Sequence, residues 1–286
     1  MLLGIRAIGK EPESLDNKEA RPARRKPRKV KVFGERNTGT RAVLKMLRNL
    51  KGVSVGFPHA NQPDLEALLE KVENTCSGFA LELYRDALED ERRRRLVAVN
   101  AWKHAAPVMD DSYAAWDAST LFLVRDPYSW IVSFTNRPYH TRAPKLESPE
   151  EFLCRPWMTL QRDNTAPVLN SPMCLWNEKL RAYRAFADQG AIPSTVLHFE
   201  DFVLDPVGAL GRSLQTFGID HAALAEVETA TKTGGMERAE RLAYYTDQRW
   251  KAKLTIKAAT LVNELVDWEI ARHFGYQKRD PDEFSA

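Results

Sequence analysis

Three short stretches of this 286-residue chain carry residue types that could do chemistry. The first is Gly34-Glu35-Arg36-Asn37-Thr38-Gly39-Thr40-Arg41, a polar loop bracketed by glycines, with apolar residues at helical spacing from Ala42 to Leu47 behind it. Glycine lets a chain turn where a side chain would clash, and a helix starting there offers unpaired N–H groups and about half a positive charge, so the loop is expected to cradle an anion. Gly34 and Gly39 keep the glycine spacing of the nucleotide triphosphate loop G-x-x-x-x-G-K-[ST], but Thr40 and Arg41 stand where its Lys and Ser/Thr belong. ATP or GTP turnover is therefore poorly supported, and a smaller phosphate group is the expected guest. The second stretch places Arg125-Asp126-Pro127 behind an apolar run, with Ser133 further on; the third is Lys103-His104, a cation beside the side chain whose proton affinity suits general-base work near neutrality. Each has a plainer reading alone: an ordinary turn, or a structural histidine.

Such residues need a framework to bring them together. Val30 to Phe33, Leu96 to Trp102, Ser119 to Val124 and Ser194 to Phe199 read as strands, and in an open α/β sheet ligands gather beyond the carboxyl ends of the strands. Pro63-Asp64 opens an expected helix through Leu65, Leu68, Leu69 and Val72. Cys174 to Phe186 is an amphipathic helix with Trp176, Leu180, Tyr183 and Phe186 facing the core, and Leu254 to Phe274 reads as a last helix. Asp205 is expected to cap a helix that begins at Pro206. The expectation is one α/β domain over 28–280, with a central parallel sheet flanked by helices and a P-loop-like strand-loop-helix at its start. A basic flexible arm (1–27) precedes it and a short tail (281–286) follows.

Composition fits a soluble globular chain: 43% hydrophobic, 28% charged, net charge +3. No apolar run approaches the roughly 18 residues that span a bilayer, and Met1 to Ile5 is too short for a signal-peptide core, so a cytoplasmic location is expected. Cys76, Cys154 and Cys174 are widely spaced and read as reduced packing residues, with no metal site. Arg21, Arg24, Arg25, Lys26, Arg28, Lys29 and Lys31 crowd the start of the domain; they form either a solvated tail or a patch for an acidic partner. Arg92 to Arg95 reads as a solvated face.

Taken in order, Gly34 to Leu44 and Arg125-Asp126-Pro127 to Ser133 resemble the two nucleotide loops of the sulfotransferases that use 3′-phosphoadenosine-5′-phosphosulfate (PAPS). The resemblance implies that Asn37, Thr38, Gly39, Thr40 and Arg41 hold the 5′-phosphosulfate and that Arg125 and Ser133 hold the 3′-phosphate. It implies that His104 takes the acceptor proton, that Arg249-Trp250-Lys251 folds over the nucleotide, and that Glu200-Asp201 orients neighbouring loops. The family usually has a lysine where this chain has Asn37, so Arg36 or Lys103 must supply that cation. The aromatic stretch from Phe134 to Pro172, with Tyr139, Phe152 and Trp157, is expected to bind the acceptor, whose class stays open among carbohydrate, small molecule, peptide and lipid. The implied activity is metal-free sulfuryl transfer from PAPS to a hydroxyl or amine. Two other readings remain: a Mg²⁺-dependent P-loop nucleotide kinase, and a non-catalytic nucleotide- or polyanion-binding module.

Overall fold

The computed structural model describes residues 28–56, 62–96, 99–138, 148–227 and 237–284. The strands among them are β1 (Arg28–Gly34), β2 (Val53–Val55), β3 (Ser119–Val124), β4 (Trp157–Met158), β5 (Val168–Leu169) and β6 (Ser194–His198). Four form a wholly parallel sheet in the order β2-β1-β3-β6, and β4 and β5 form a small antiparallel pair beside it. The helices are α1 (Thr40–Arg48), α2 (Pro63–Thr75), α3 (Gly78–Leu96), α4 (Asp111–Trp116), α5 (Pro127–Asn136) and α6 (Pro149–Cys154). They continue with α7 (Pro172–Asp188), α8 (Phe199–Leu204), α9 (Pro206–Thr216), α10 (Arg238–Thr246), α11 (Ile256–Leu265) and α12 (Trp268–His273).

The two central strands, β1 and β3, are buried over most of their length, and β3 is accordingly a nearly continuous apolar run. Val30, Val32, Leu121 and Leu123 pack against Val43, Met46 and Leu47 of α1 and Leu210 and Leu214 of α9. Phe33, Phe122 and Val124 point the other way, onto Trp130 of α5, Trp176, Leu180 and Tyr183 of α7, and Val262 of α11. The expected core stripe of α7 is buried throughout, and Asp205 caps α9 by accepting from the Gly208 N–H at 2.8 Å. Among the described residues no helix is long and apolar enough to cross a membrane.

Several expectations need correction. The described part of Leu96 to Trp102 is not a strand: α3 runs through Leu96, and Val99–Ala101 is a 3-10 turn. There the Asn100 amide donates to the Val108 carbonyl at 2.6 Å and accepts from the Val108 N–H at 3.0 Å. The last expected helix breaks in two because Asp267 caps α12, with its N–H held at 3.0 Å by Asn177 Oδ1. Phe152 and Trp157 are core residues packed on Phe134, so they are not available to an acceptor. The expected tail is not loose: Phe284 is buried and stacks on Tyr128, which carries the fold to at least Phe284. Cys154 is exposed instead of packed. The basic arm and its acidic partner, and Tyr139, fall outside the described residues.

Candidate functional site

The ends of β1, β3 and β6 open into one cavity of about 730 Å³, a size typical of ligand pockets. Its lining includes eight cationic side chains, Arg36, Arg41, Lys103, Arg125, Arg137, Arg162, Arg241 and Lys253, against two carboxylates, Asp86 and Glu226. Some of that charge is matched: Arg162 pairs with Asp86 at 2.5 Å and Asp90 at 2.9 Å, and Arg241 with Glu226 at 3.9 Å. The surplus favours an anionic guest.

The loop after β1 is shaped by sterics. A Cβ on Gly34 would stand 2.8 Å from Leu123 Cβ, Thr38 Oγ1 and Thr40 Cγ2, so only glycine fits. Asn37 (φ 67°) and Gly39 (φ 85°) then adopt left-handed conformations, which Asn and Gly tolerate best, and turn the chain into α1. No side chain caps α1 and no acidic residue occupies its first turn, so its leading N–H groups keep their partial positive charge. Asn37, Gly39, Thr40 and Arg41 line the cavity. Thr38 does not: it is buried, and its hydroxyl donates to the Glu35 carbonyl at 2.5 Å. Asn37 Nδ2 is buried without a partner among the described residues.

Arg125 follows β3 directly. Asp126 caps α5 by accepting from the Ser129 N–H at 2.9 Å, with Pro127 in the first turn, and this sharp entry turns Arg125 inward. The guanidinium donates to Ser129 Oγ at 2.9 Å and to the Asn37 carbonyl at 2.6 Å, and lies 4.1 Å from the Phe199 ring centre. Arg125 is 3% exposed, and among the described residues no carboxylate lies within ion-pair distance of it. A buried cation held only by neutral groups is costly, and an anion offsets that cost. Ser133, on α5, lines the same cavity. Glu200 does orient this loop: its carboxylate accepts from the Asp126 N–H at 2.9 Å and from the Tyr276 hydroxyl at 3.2 Å, and burial with the nearby Asp126 raises its pKa.

His104 lies on a strap beside the end of β1, where the Gly34 N–H donates to the Lys103 carbonyl at 3.0 Å. Its Nδ1 is 2.5 Å from the Gly34 carbonyl, an acceptor, so Nδ1 carries the proton and Nε2 holds the lone pair. Burial, then the charges of Arg36, Lys103 and Lys179, push its pKa well below the usual histidine value, which keeps the ring neutral and makes it a weaker base than a free imidazole. Lys103 and His104 both line the cavity.

Arg36 joins them, 3.2 Å from Asp163 Oδ1 and facing the Trp102 ring. Behind it lies a buried ion cluster that periodicity did not reveal: Glu35, Asp163 and Lys179, the last fully buried. Lys179 Nζ donates to the His104 and Asp163 carbonyls at 2.6 and 2.7 Å and lies 3.9 Å from Glu35 Oε2. Burial raises the Glu35 pKa against the pull of Lys179 and Arg36, and lowers that of Lys179. Burial also works to raise Asp163, but Arg36, Lys179 and the Leu160 N–H outweigh it and hold the carboxyl ionised. One signal was readable: Lys179 sits three residues after Trp176 and four before Tyr183, inside the apolar stripe of α7.

Arg249, Trp250 and Lys251 do not reach the cavity. Arg249 pairs with Asp247, Lys251 with Glu283 at 2.6 Å, and Trp250 is buried near Phe284. Tyr244, Tyr245 and Lys253, from the same segment, line it instead, and the aromatic pair was visible in the sequence. Among the described residues no group of three or more His, Cys, Asp or Glu is placed to hold a metal ion. No protein-family model matches this chain, and no curated protein matches it.

Proposed function

We propose that this protein transfers a sulfuryl group from PAPS to an acceptor hydroxyl or amine, leaving adenosine 3′,5′-bisphosphate. The observation that carries the reading is the shared cavity: an uncapped helix N-terminus after a glycine-bounded loop, a buried Arg125 with no carboxylate partner, and a neutral His104 all line it. The N-terminal unit is then P-loop-like in shape, with Thr40 and Arg41 in place of the lysine and hydroxyl that serve a triphosphate and its Mg²⁺.

The residues present fit such a donor. Arg125 and Ser133 both line the cavity and are assigned to a 3′-phosphate, and the N–H groups of Gly39 to Arg41, with the orphaned amide of Asn37, suit a 5′-phosphosulfate. Tyr244, Tyr245 and Lys253 take the covering role that the sequence assigned to Arg249-Trp250-Lys251. The donor supplies the sulfuryl group; the chain supplies position and charge. His104 Nε2 takes the acceptor proton, and the Gly34 carbonyl fixes the tautomer that makes this possible. Arg36 and the α1 N-terminus offset the negative charge that builds on the leaving phosphate. Asn37 is uncharged, so the cation falls to Arg36 or Lys103, which both line the cavity; we assign it to Arg36, which belongs to the same loop.

The direct test incubates the purified protein with PAPS, a panel of hydroxyl, amine and phenol acceptors and excess EDTA, and measures bisphosphate release and sulfated product. Acceptor-dependent release in chelator supports the reading. Turnover of ATP that EDTA abolishes and Mg²⁺ restores would favour the kinase.

A further inference from the structure

Asp163 ends a 3-10 turn (Gln161–Asp163) far in sequence from the loops described above, and it is fully buried. Its carboxylate accepts from Arg36 Nη1 at 3.2 Å, from Trp102 Nε1 at 3.4 Å and from the Leu160 N–H at 3.0 Å. Its carbonyl accepts from the Ala106 N–H at 2.8 Å and from Lys179 Nζ at 2.7 Å, and the same Nζ grips the His104 carbonyl at 2.6 Å. The Asn164 side chain adds a bond to the Ala106 carbonyl at 2.8 Å. The strap carrying His104 is thus tied to Asp163 at Trp102 and Ala106 and, through Lys179, at His104, and Arg36 is tied to Asp163 too.

A carboxylate that merely balanced charge would need one cation. Here the two side-chain donors to the carboxylate come from different elements, Arg36 from the loop after β1 and Trp102 from the 102–106 strap. Glu35 is a poorer anchor for the Arg36 guanidinium: it lies 3.7 Å away, its Oε1 is engaged by the Arg36 N–H at 2.7 Å, and burial favours its neutral form. An arginine without such an anchor spreads over many rotamers, and charge placed at random in a site stabilises little.

We propose that Asp163 is a positioning residue of the sulfuryl-transfer site: it fixes the Arg36 guanidinium and, with Lys179, holds the His104 strap against the end of β1. The proposal rests on the sulfuryl-transfer reading for its catalytic consequence, but not for its structural one.

The test is a double-mutant cycle with an independent spectroscopic arm. Asp163→Asn keeps the volume and removes the charge. It is expected to lower kcat with PAPS by about 10²-fold, to leave adenosine 3′,5′-bisphosphate affinity unchanged, and to be no slower when combined with Arg36→Ala than Arg36→Ala alone. In arginine-labelled protein without ligand, the guanidinium resonance that Arg36→Ala removes should be distinct in the wild type and should collapse into the averaged signal in D163N. A resonance that persists in D163N, or kcat losses that multiply in the double variant, overturns the proposal. If the wild type transfers no sulfate to any acceptor, the sulfuryl-transfer reading falls and the resonance alone decides: collapse supports positioning, persistence overturns it. Should D163N not fold, Asp163→Glu moves the charge by one methylene; reduced kcat with retained bisphosphate affinity supports the proposal, and full kcat overturns it.

Discussion

One wall of the cavity, made by the turn at 37–39 and the Arg125 turn, has each turn shaped mostly by neighbours in sequence, and the two are joined by the bond from Arg125 to the Asn37 carbonyl. Asp126 caps the helix that Pro127 starts, Ser129 Oγ accepts from Arg125, and Asn37 and Gly39 make their own turn. The facing wall, with His104, Trp102 and Arg36, has no regular structure of its own at 102–106. It is held by bonds to Gly34, Lys179 and Asp163, distant in the chain. The first wall is assigned to binding and the second to chemistry, so the contrast has a consequence: locally built parts should fail one at a time, while the second wall should fail as a unit.

The largest effect that would sharpen this division is expected at His104. Removing a general base costs about 10²–10⁴ in rate, so His104→Ala should lower kcat by that factor in steady-state assays with saturating PAPS. Bisphosphate affinity, measured by calorimetry, should hardly change. Full turnover in this variant would place the base elsewhere. Next comes Arg36→Ala, expected to lower kcat by about 10²-fold through lost stabilisation of the leaving phosphate. Weaker bisphosphate binding with unchanged kcat would instead move Arg36 to the binding wall.

Arg125→Ala breaks the comparison from the other side. A charge-assisted hydrogen bond contributes about 1.5–3 kcal/mol, so adenosine 3′,5′-bisphosphate should bind about 10- to 100-fold more weakly. AMP, which lacks the 3′-phosphate, should lose much less; equal losses would remove Arg125 from the 3′-phosphate site. The smallest effect concerns pH. The His104 pKa is depressed in the folded state by burial and by Arg36, Lys103 and Lys179, so protonation favours unfolding. Its contribution to stability should be constant above about pH 6.5, the unfolded value, and decline as pH falls toward the folded one. The acid limb of kcat should lie below the usual histidine range, and His104→Ala should abolish that part of the stability profile in thermal melts.

The same contrast explains what could be read in the sequence. β1 and β3 are mostly buried, β6 carries the β-branched and apolar run Thr195-Val196-Leu197, and α7 has a clear apolar stripe, so all were legible. Arg125 and Ser133 were legible because their placement follows from a local cap. The apolar run before Trp102 misled because its described part is the end of α3 and a 3-10 turn, and His104 reaches the cavity on a strap tied to Gly34, Lys179 and Asp163. Lys179 and Asp163 were missed because charged residues read as solvated unless a partner far along the chain is known. The Trp250-Lys251 pair misled because a tryptophan this well packed, against the segment that ends at Phe284, is part of the core.

The central claim is that the cavity recognises a nucleotide by phosphates at both 3′ and 5′ positions, and melting temperature with matched concentrations of adenosine 3′,5′-bisphosphate, AMP and ATP with Mg²⁺ tests it most directly. A ligand that binds only the native state raises apparent stability with the logarithm of its concentration over Kd, so at matched concentration the tighter ligand gives the larger rise. The account predicts a clear rise with the bisphosphate, where AMP and ATP with Mg²⁺ give little. A rise with ATP and Mg²⁺ that exceeds that of the bisphosphate, or no rise with any of the three, would contradict it.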